Sequence, residues 1–245
     1  MVQVMFKVLS TGSHGNCYIL EADGEQLLLE CGIPYKRILE GLEYDLTNVK
    51  GCLVTHEHKD HCKAIKDILK NGIDVYSSTG TLEALDVEHH RAHRVTIEKQ
   101  FKLGGFTILP FHTQHDVREP IGFLISHKAL GKVLFATDTY YIQYKFKALN
   151  HIIIECNYSE KILESNVESG KVHKWLKCRV EKSHFSVENL KDFFRANDLS
   201  KVKNIVLIHL SKDNGNPEYF QEEIEKVTGL PVVVAHDGLE IKGGI

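Results

Sequence analysis

The segment Thr55-His56-Glu57-His58-Lys59-Asp60-His61 places three histidines and an aspartate within six residues. Dications such as zinc favour imidazole nitrogen, and a carboxylate adds charge while leaving a labile position for water. His56 and His58 alternate, so on a short extended loop both turn to one metal. Asp60 and His61 lie one step further on and can face a second. A lone histidine or a single His-x-His is most often part of a solvated loop. Four matched positions argue against that reading here. The preceding run Val49-Lys50-Gly51-Cys52-Leu53-Val54 reads as a short strand, so the cluster sits at a strand end, where a rigid sheet presents chemistry on a loop.

Three later positions share that placement. His115, in Phe111-His112-Thr113-Gln114-His115-Asp116, follows the expected strand Phe106–Pro110, with His112 as the competing candidate. Asp138 ends the expected strand Lys132–Thr137. A carboxylate there can bridge two dications and leave a bridging hydroxide as nucleophile. His209 ends the apolar run Asn204–Ile208.

The elements that must position these groups alternate in type. Val4–Leu9, Cys17–Glu21 and Gln26–Glu30 read as strands, the last two as a hairpin around Asp23-Gly24. Ile121–Ser126, His151–Glu155 and Pro231–Ala235 read as further strands. Tyr35–Leu42, Lys63–Asn71, Val187–Asn197 and Pro217–Val227 read as helices. Periodicity alone gives a mixed α/β chain. With 42% apolar and 26% charged residues in 245, a substantial core is expected. A net charge of -3 argues against a protein coated in positive charge, though not against a local basic groove. The 15 histidines fit a metal enzyme. The six cysteines form no Cys-x-x-Cys pair, which reads as reduced thiols of the cytoplasm; Cys62, beside His61, reads as a core thiol. No run approaches the length of a membrane span.

His56-x-His58-x-Asp60-His61, followed in order by His115, Asp138 and His209, resembles the five-motif pattern of the metallo-β-lactamase fold superfamily. The resemblance implies a four-layer αββα sandwich over 1–245, one domain with a lid-like insertion at about 160–182. It implies one metal on His56, His58 and His115, another on Asp60, His61 and His209, and Asp138 bridging. The ions would be zinc or manganese, with iron a further option. Many members carry Asp where this chain has Glu30, a position that supports the ligand loop through hydrogen bonds.

The stretches Glu155-Cys156-Asn157 and Ser183-His184-Phe185-Ser186 are similar to the arrangement in tRNA-processing RNase Z enzymes, where a Glu–His pair protonates the leaving group. Here that pair would be Glu155 and His184. The alternative makes Ser183 a helix N-cap and His184 merely exposed. The resemblance extends further to the YycJ (WalJ) family of bacterial hydrolases, through Ser10-Thr11-Gly12-Ser13-His14-Gly15-Asn16-Cys17, Leu176-Lys177-Cys178-Arg179-Val180 and His209-Leu210-Ser211-Lys212-Asp213-Asn214. His14 and Phe185 depart from that family's pattern. Members are described as metal-dependent DNA exonucleases acting from the 5′ end.

The resemblance thus implies phosphodiester hydrolysis by a two-metal-activated hydroxide, with Asp60, Glu155 and His184 as catalytic residues. Ser13, Asn16 and Arg179 are the expected substrate contacts. The segment 160–182 carries Lys161, Lys171, Lys174, Lys177, Arg179 and Lys182 together with Trp175. That composition suits a phosphate backbone and a stacked base, with DNA favoured over RNA. The alternatives are a phosphodiesterase for small cyclic or nucleotide substrates, a glyoxalase II-like thioesterase that has no need of His184, and a non-enzymatic metal-bound module.

Overall fold

Leu27, Leu28 and Leu29 are consecutive and all inaccessible to solvent, which a strand achieves only when both of its faces are covered. Leu27 and Leu29 enter one apolar cluster and Leu28 another. Ile152, Ile153 and Ile154 divide in the same way, with Ile153 on the inner side. The protein is therefore built in layers around two doubly covered sheets.

The computed structural model describes residues 5–242; Val4, expected to open the first strand, lies outside them. The first half runs β1 (Met5–Ser10), β2 (Cys17–Ala22), β3 (Glu25–Leu29), α1 (Tyr35–Gly41), β4 (Val49–Leu53), α2 (Lys59–Cys62), α3 (Ile65–Lys70), β5 (Val75–Ser77), α4 (Thr79–Ala84) and β6 (Ala92–Arg94). The second runs β7 (Phe101–Leu103), β8 (Phe106–His112), β9 (Ile121–His127), β10 (Gly131–Ala136), β11 (His151–Glu155), α5 (Glu160–Glu168), α6 (Lys174–Glu181), α7 (Val187–Ala196), β12 (Asn204–Ile208), α8 (Pro217–Thr228), β13 (Val232–Val234) and β14 (Glu240–Lys242). The sheets are ordered β14-β1-β2-β3-β4-β5-β6 and β13-β12-β11-β10-β9-β8-β7. Each begins as an antiparallel meander and continues as parallel strands, linked through helices except between β10 and β11, where the connection is a loop.

Between the sheets lie Phe6, Tyr18, Phe106, Phe123, Phe135, Ile153 and Val206. Ile38, Ile65, Ile68 and Leu82 cover the outer face of the first sheet from α1, α3 and α4. Leu190, Phe194, Phe220 and Ile224 cover the second from α7 and α8. This is the four-layer αββα sandwich that the motifs imply. Helix α7 shows how the sequence dictates its place. Val187, Leu190, Phe193 and Phe194 share one face, and Ser186 Oγ accepts from Asn189 N to close the N-terminus. Each such buried side chain contributes about 1.5–3 kcal/mol. Ser186, not Ser183, is thus the cap.

Register carries the layers to the site. Leu29 pairs with Leu53, Ala136 with Ile154, and Glu155 with Ile208, so the parallel strands of both sheets end level. Everything just past those ends faces one rim. The helix expected at Lys63–Asn71 begins earlier, as α2 and then α3. His58 O accepts from His61 N and Cys62 N, so Asp60 and His61 ride on a helical turn while His56 and His58 stay extended.

Candidate metal centre

The strand ends bring His56, His58, His115 and Asp138 together, and likewise Asp60, His61, Asp138 and His209; in each group the donor atoms lie within 4.8 Å of one another. Asp138 belongs to both, and its two oxygens face opposite ways. Oδ1 is 3.3 Å from His61 Nε2 and 3.2 Å from His209 Nδ1. Oδ2 is 3.8 Å from both His56 Nε2 and His115 Nε2. Asp60 Oδ2 sits 3.4 Å from His61 Nε2 and 3.5 Å from His209 Nε2. His115, not His112, is the histidine in the cluster; His112 is exposed at the end of β8.

The arrangement fits a pair of divalent ions. His56 Nε2 and His209 Nε2 are buried and have no hydrogen-bond partner in the protein, which costs about 1–3 kcal/mol per group unless something else satisfies them. His58 Nδ1 and His115 Nε2 converge to 3.2 Å. His115 Nδ1 is turned to the Ser183 carbonyl at 2.9 Å; donation there leaves Nε2 as the lone pair aimed into the cluster. Every donor is nitrogen or carboxylate oxygen. Cys62 takes no part, because its Sγ donates to the carbonyls of Glu57 and His58.

A second layer of contacts holds these groups in place. Glu30 is fully buried, and both of its oxygens lie 3.3 Å from Thr55 N, with Oε1 3.7 Å from His61 Nδ1. The longer carboxylate therefore still reaches the ligand loop. Asn16 is also fully buried. Its Nδ2 meets Gly12 O, Asp60 O and His61 Nε2, and its Oδ1 accepts from Gly12 N and Tyr18 Oη. Among the described residues it braces the turn against the ligand loop rather than facing the cleft. Gly32 fills the remaining contact: a Cβ there would stand 1.7 Å from Asp60 O.

Glu155 Oε1 lies 2.6 Å from His184 Nδ1 and 3.0 Å from His209 Nδ1, so one carboxylate holds both rings. Desolvation would lower the basicity of His184 and His209, but carboxylates outweigh it. Glu155 raises His184, and Asp138, Asp60 and Glu155 push His209 up to about 10. His61 is raised in the same way, chiefly by Asp138. Burial opposes ionisation of Asp138, yet the neighbouring His209 and His61 hold it well below the carboxylate range. His56, by contrast, is lowered by burial and by the neighbouring His61. The metal-free cluster is balanced by protons on one side and kept neutral on the other.

The site opens into a cleft of about 350 Å³ lined by Ser13, Asp60, Asp138, His184 and the α6 residues Leu176, Arg179 and Val180. Ser13 and Arg179 thus stand where substrate contact was expected. Helices α5 and α6 form the covering hairpin, with a small core of Tyr158, Leu163 and Val172. Three of its six expected cations are already paired: Lys171 with Asp213, Lys177 with Glu164, and Arg179 with Asp116. Lys161, Lys174 and Lys182 have no carboxylate partner among the described residues, and Trp175 is exposed.

Asp116 was not singled out in the sequence. Its oxygens accept from Arg179 Nε and Ser183 Oγ, both at 3.0 Å, joining α6 to the residue whose carbonyl orients His115. Its position directly after His115 was the available signal. Backbone conformation was a second hidden feature. Glu30, Asp138 and His209 all have left-handed φ, at 66°, 46° and 54°. Non-glycine residues occupy that region at a cost of about 1–3 kcal/mol, a strain that clusters at functional sites.

Comparison with known proteins agrees with this fold. Residues 33–210 match the model of the beta-lactamase superfamily domain. The chain is 27% identical over 240 residues to an exodeoxyribonuclease YycJ of Bacillus anthracis, covering 91% of this chain and 88% of that one. It is also 27% identical over 237 residues to an exodeoxyribonuclease WalJ of Streptococcus pneumoniae, covering 89% and 86%. The metallo-β-lactamase fold protein YhfI from Bacillus subtilis superimposes with a TM-score of 0.75 over 98% of this chain and 100% of that chain, at 16% identity. The chain belongs to the beta-lactamase superfamily domain family, and within it is a metal-dependent hydrolase similar to the YycJ and WalJ proteins.

Proposed function

We propose that this hydrolase cleaves phosphodiesters in nucleic acid, as a DNA exonuclease that works from the 5′ end. The observation that carries the reading is His184 in the cleft wall, held through Nδ1 by Glu155 at 2.6 Å. A departing sugar oxygen needs a proton, whereas a thiolate leaves without one. The names of the two relatives, each aligned over most of both chains, support the same substrate class.

His56, His58 and His115 would hold one divalent ion, and Asp60, His61 and His209 another, with Asp138 between them. Zinc, manganese and iron all accept these donors. Held by these residues, such ions would supply positive charge to the phosphoryl group and make water a better nucleophile. His184 gives its proton to the leaving oxygen while Glu155 fixes the ring. Asp60, at the cleft wall, accepts the proton of the attacking water. Ser13 and Arg179 position the phosphate, and Trp175 with Lys174 and Lys182 on the hairpin meets a base and the backbone.

We assign the whole chain to one domain, with α5 and α6 as its lid. No helix among the described residues is long and apolar enough to cross a membrane. The scattered thiols suit the cytoplasm.

The test is digestion of a 5′-phosphorylated, 3′-labelled DNA duplex with added Mn²⁺, beside Asp138→Ala. Stepwise shortening from the 5′ end, lost in the variant, is expected. Absence of cleavage by a protein of verified metal content would overturn the reading.

A further inference from the structure

Beside the metal centre lies a chamber of about 430 Å³ that the chemistry above does not use. Its lining includes Tyr140, Tyr141 and Phe185, and from α7 Asn189, Phe193 and Asp192, whose carboxylate is paired with Arg195. Tyr140 is 36% and Tyr141 55% exposed. Among the described residues neither ring meets another aromatic, and neither hydroxyl has a partner. Tyr144, two positions beyond this pair's neighbour Ile142, is different: its ring packs on Phe111 and Phe146, and its hydroxyl bonds Glu98.

Two separate stretches of chain connect the lining of the chamber to that of the cleft. Tyr140 is two residues past Asp138, and Phe185 directly follows His184. At about 3.8 Å per residue, these are separations of no more than ~8 and ~4 Å along the chain. The loop is also tied to the reacting groups. Thr139 N donates to Glu155 Oε2, Thr139 Oγ1 to Tyr141 O, and Tyr140 N to Gln114 O beside His115. Aromatic side chains held this near Asp138 and His184 along the chain suit the base of an adjoining nucleotide. Lys145 on the same loop is exposed without a carboxylate partner, and the Asn189 amide is free to meet a base edge.

We propose that this chamber is a nucleobase subsite, which stacks the base of a nucleotide next to the scissile phosphate on Tyr141 and sets Lys145 against the following phosphate. The inference rests on the nuclease reading and deepens it. It adds an aromatic platform on the side of the site formed by β10 and α7, apart from Trp175 on the lid. Base stacking is tolerant of sequence, so the subsite acts on register along the strand.

The experiment uses the metal-loaded full chain and its Tyr141→Ala and Tyr141→Phe variants. Each is assayed on bis(p-nitrophenyl) phosphate and on oligonucleotides carrying one abasic nucleotide at successive positions. Tyr141→Ala is expected to lower kcat/KM on the intact oligonucleotide at least about five-fold, Tyr141→Phe to restore it, and the small diester to be cleaved equally by all three. One abasic position should slow the wild type and leave Tyr141→Ala without further loss. Equal oligonucleotide cleavage by wild type and Tyr141→Ala overturns the subsite alone. So does an equal loss on both substrates. If the wild type hydrolyses the small diester and no oligonucleotide, the nuclease reading falls and the subsite with it.

Discussion

Glu155 grips His184 and His209 with the same oxygen, at 2.6 and 3.0 Å. The expected proton donor and an expected metal ligand are thereby set by one buried carboxylate. Removing the donor alone separates the two duties. His184→Ala should lower cleavage of DNA by roughly 10²–10⁴-fold and leave metal content unchanged. The same variant should lose little on p-nitrophenyl esters, whose leaving group needs no proton. Parallel kinetics with metal analysis checks both halves.

Glu30 reaches Thr55 N and stands against His61, so it steers the ligand loop without facing the cleft. Replacing such an outer contact costs about 10–100-fold in metal affinity. Glu30→Ala should show that loss in a chelator-competition titration, and Glu30→Asp should recover part of it.

The buried carboxylates favour protons on the rings that the ions would need. His61 and His209 are raised above the usual imidazole range, His209 to about 10. A raised histidine stabilises the metal-free fold fully below its unfolded pKa of about 6.5, and that help fades as pH climbs toward the folded value. Ion binding must expel those protons, so it strengthens over the same range. The rise in Tm on adding metal should therefore grow from pH 6 to pH 9, with protons released in a weakly buffered titration. A metal-induced shift that is flat or shrinks over this range would contradict the assignment.

Gly32 leaves no room for a methyl group against Asp60 O. Gly32→Ala should push the helical turn of α2 outward, costing about 1–3 kcal/mol through overpacking. Thermal unfolding and metal content should fall together.

The sequence exposed the donors well, because each follows an apolar run and their order is distinctive. Both sheets were legible where strands had five or more residues. The three-residue strands β5, β6, β7, β13 and β14 carry too little period to stand out, and of these only β13 fell within an expected strand. The helical turn over Lys59–Cys62 was hidden by its histidine, which reads as an extended ligand. Asn16 showed the opposite failure. Its polar side chain in a glycine turn suggests an outward contact, and only the fold reveals that every polar atom is engaged inside. The role of Asp116 depends on Arg179 and Ser183, which are distant in sequence, so its place directly after His115 points to the site without revealing those partners.

The donors are spread from His56, on the first sheet, to His209, on the second. During synthesis the first half can pair its strands while the chain still grows, but it offers only part of a coordination sphere. The full set exists once β12 has taken its place beside β11. The group of His56, His58, His115 and Asp138 is complete before β12 is made, so only the second group, with His209, waits for the last strands. A pair of ions held together would report that both halves have met.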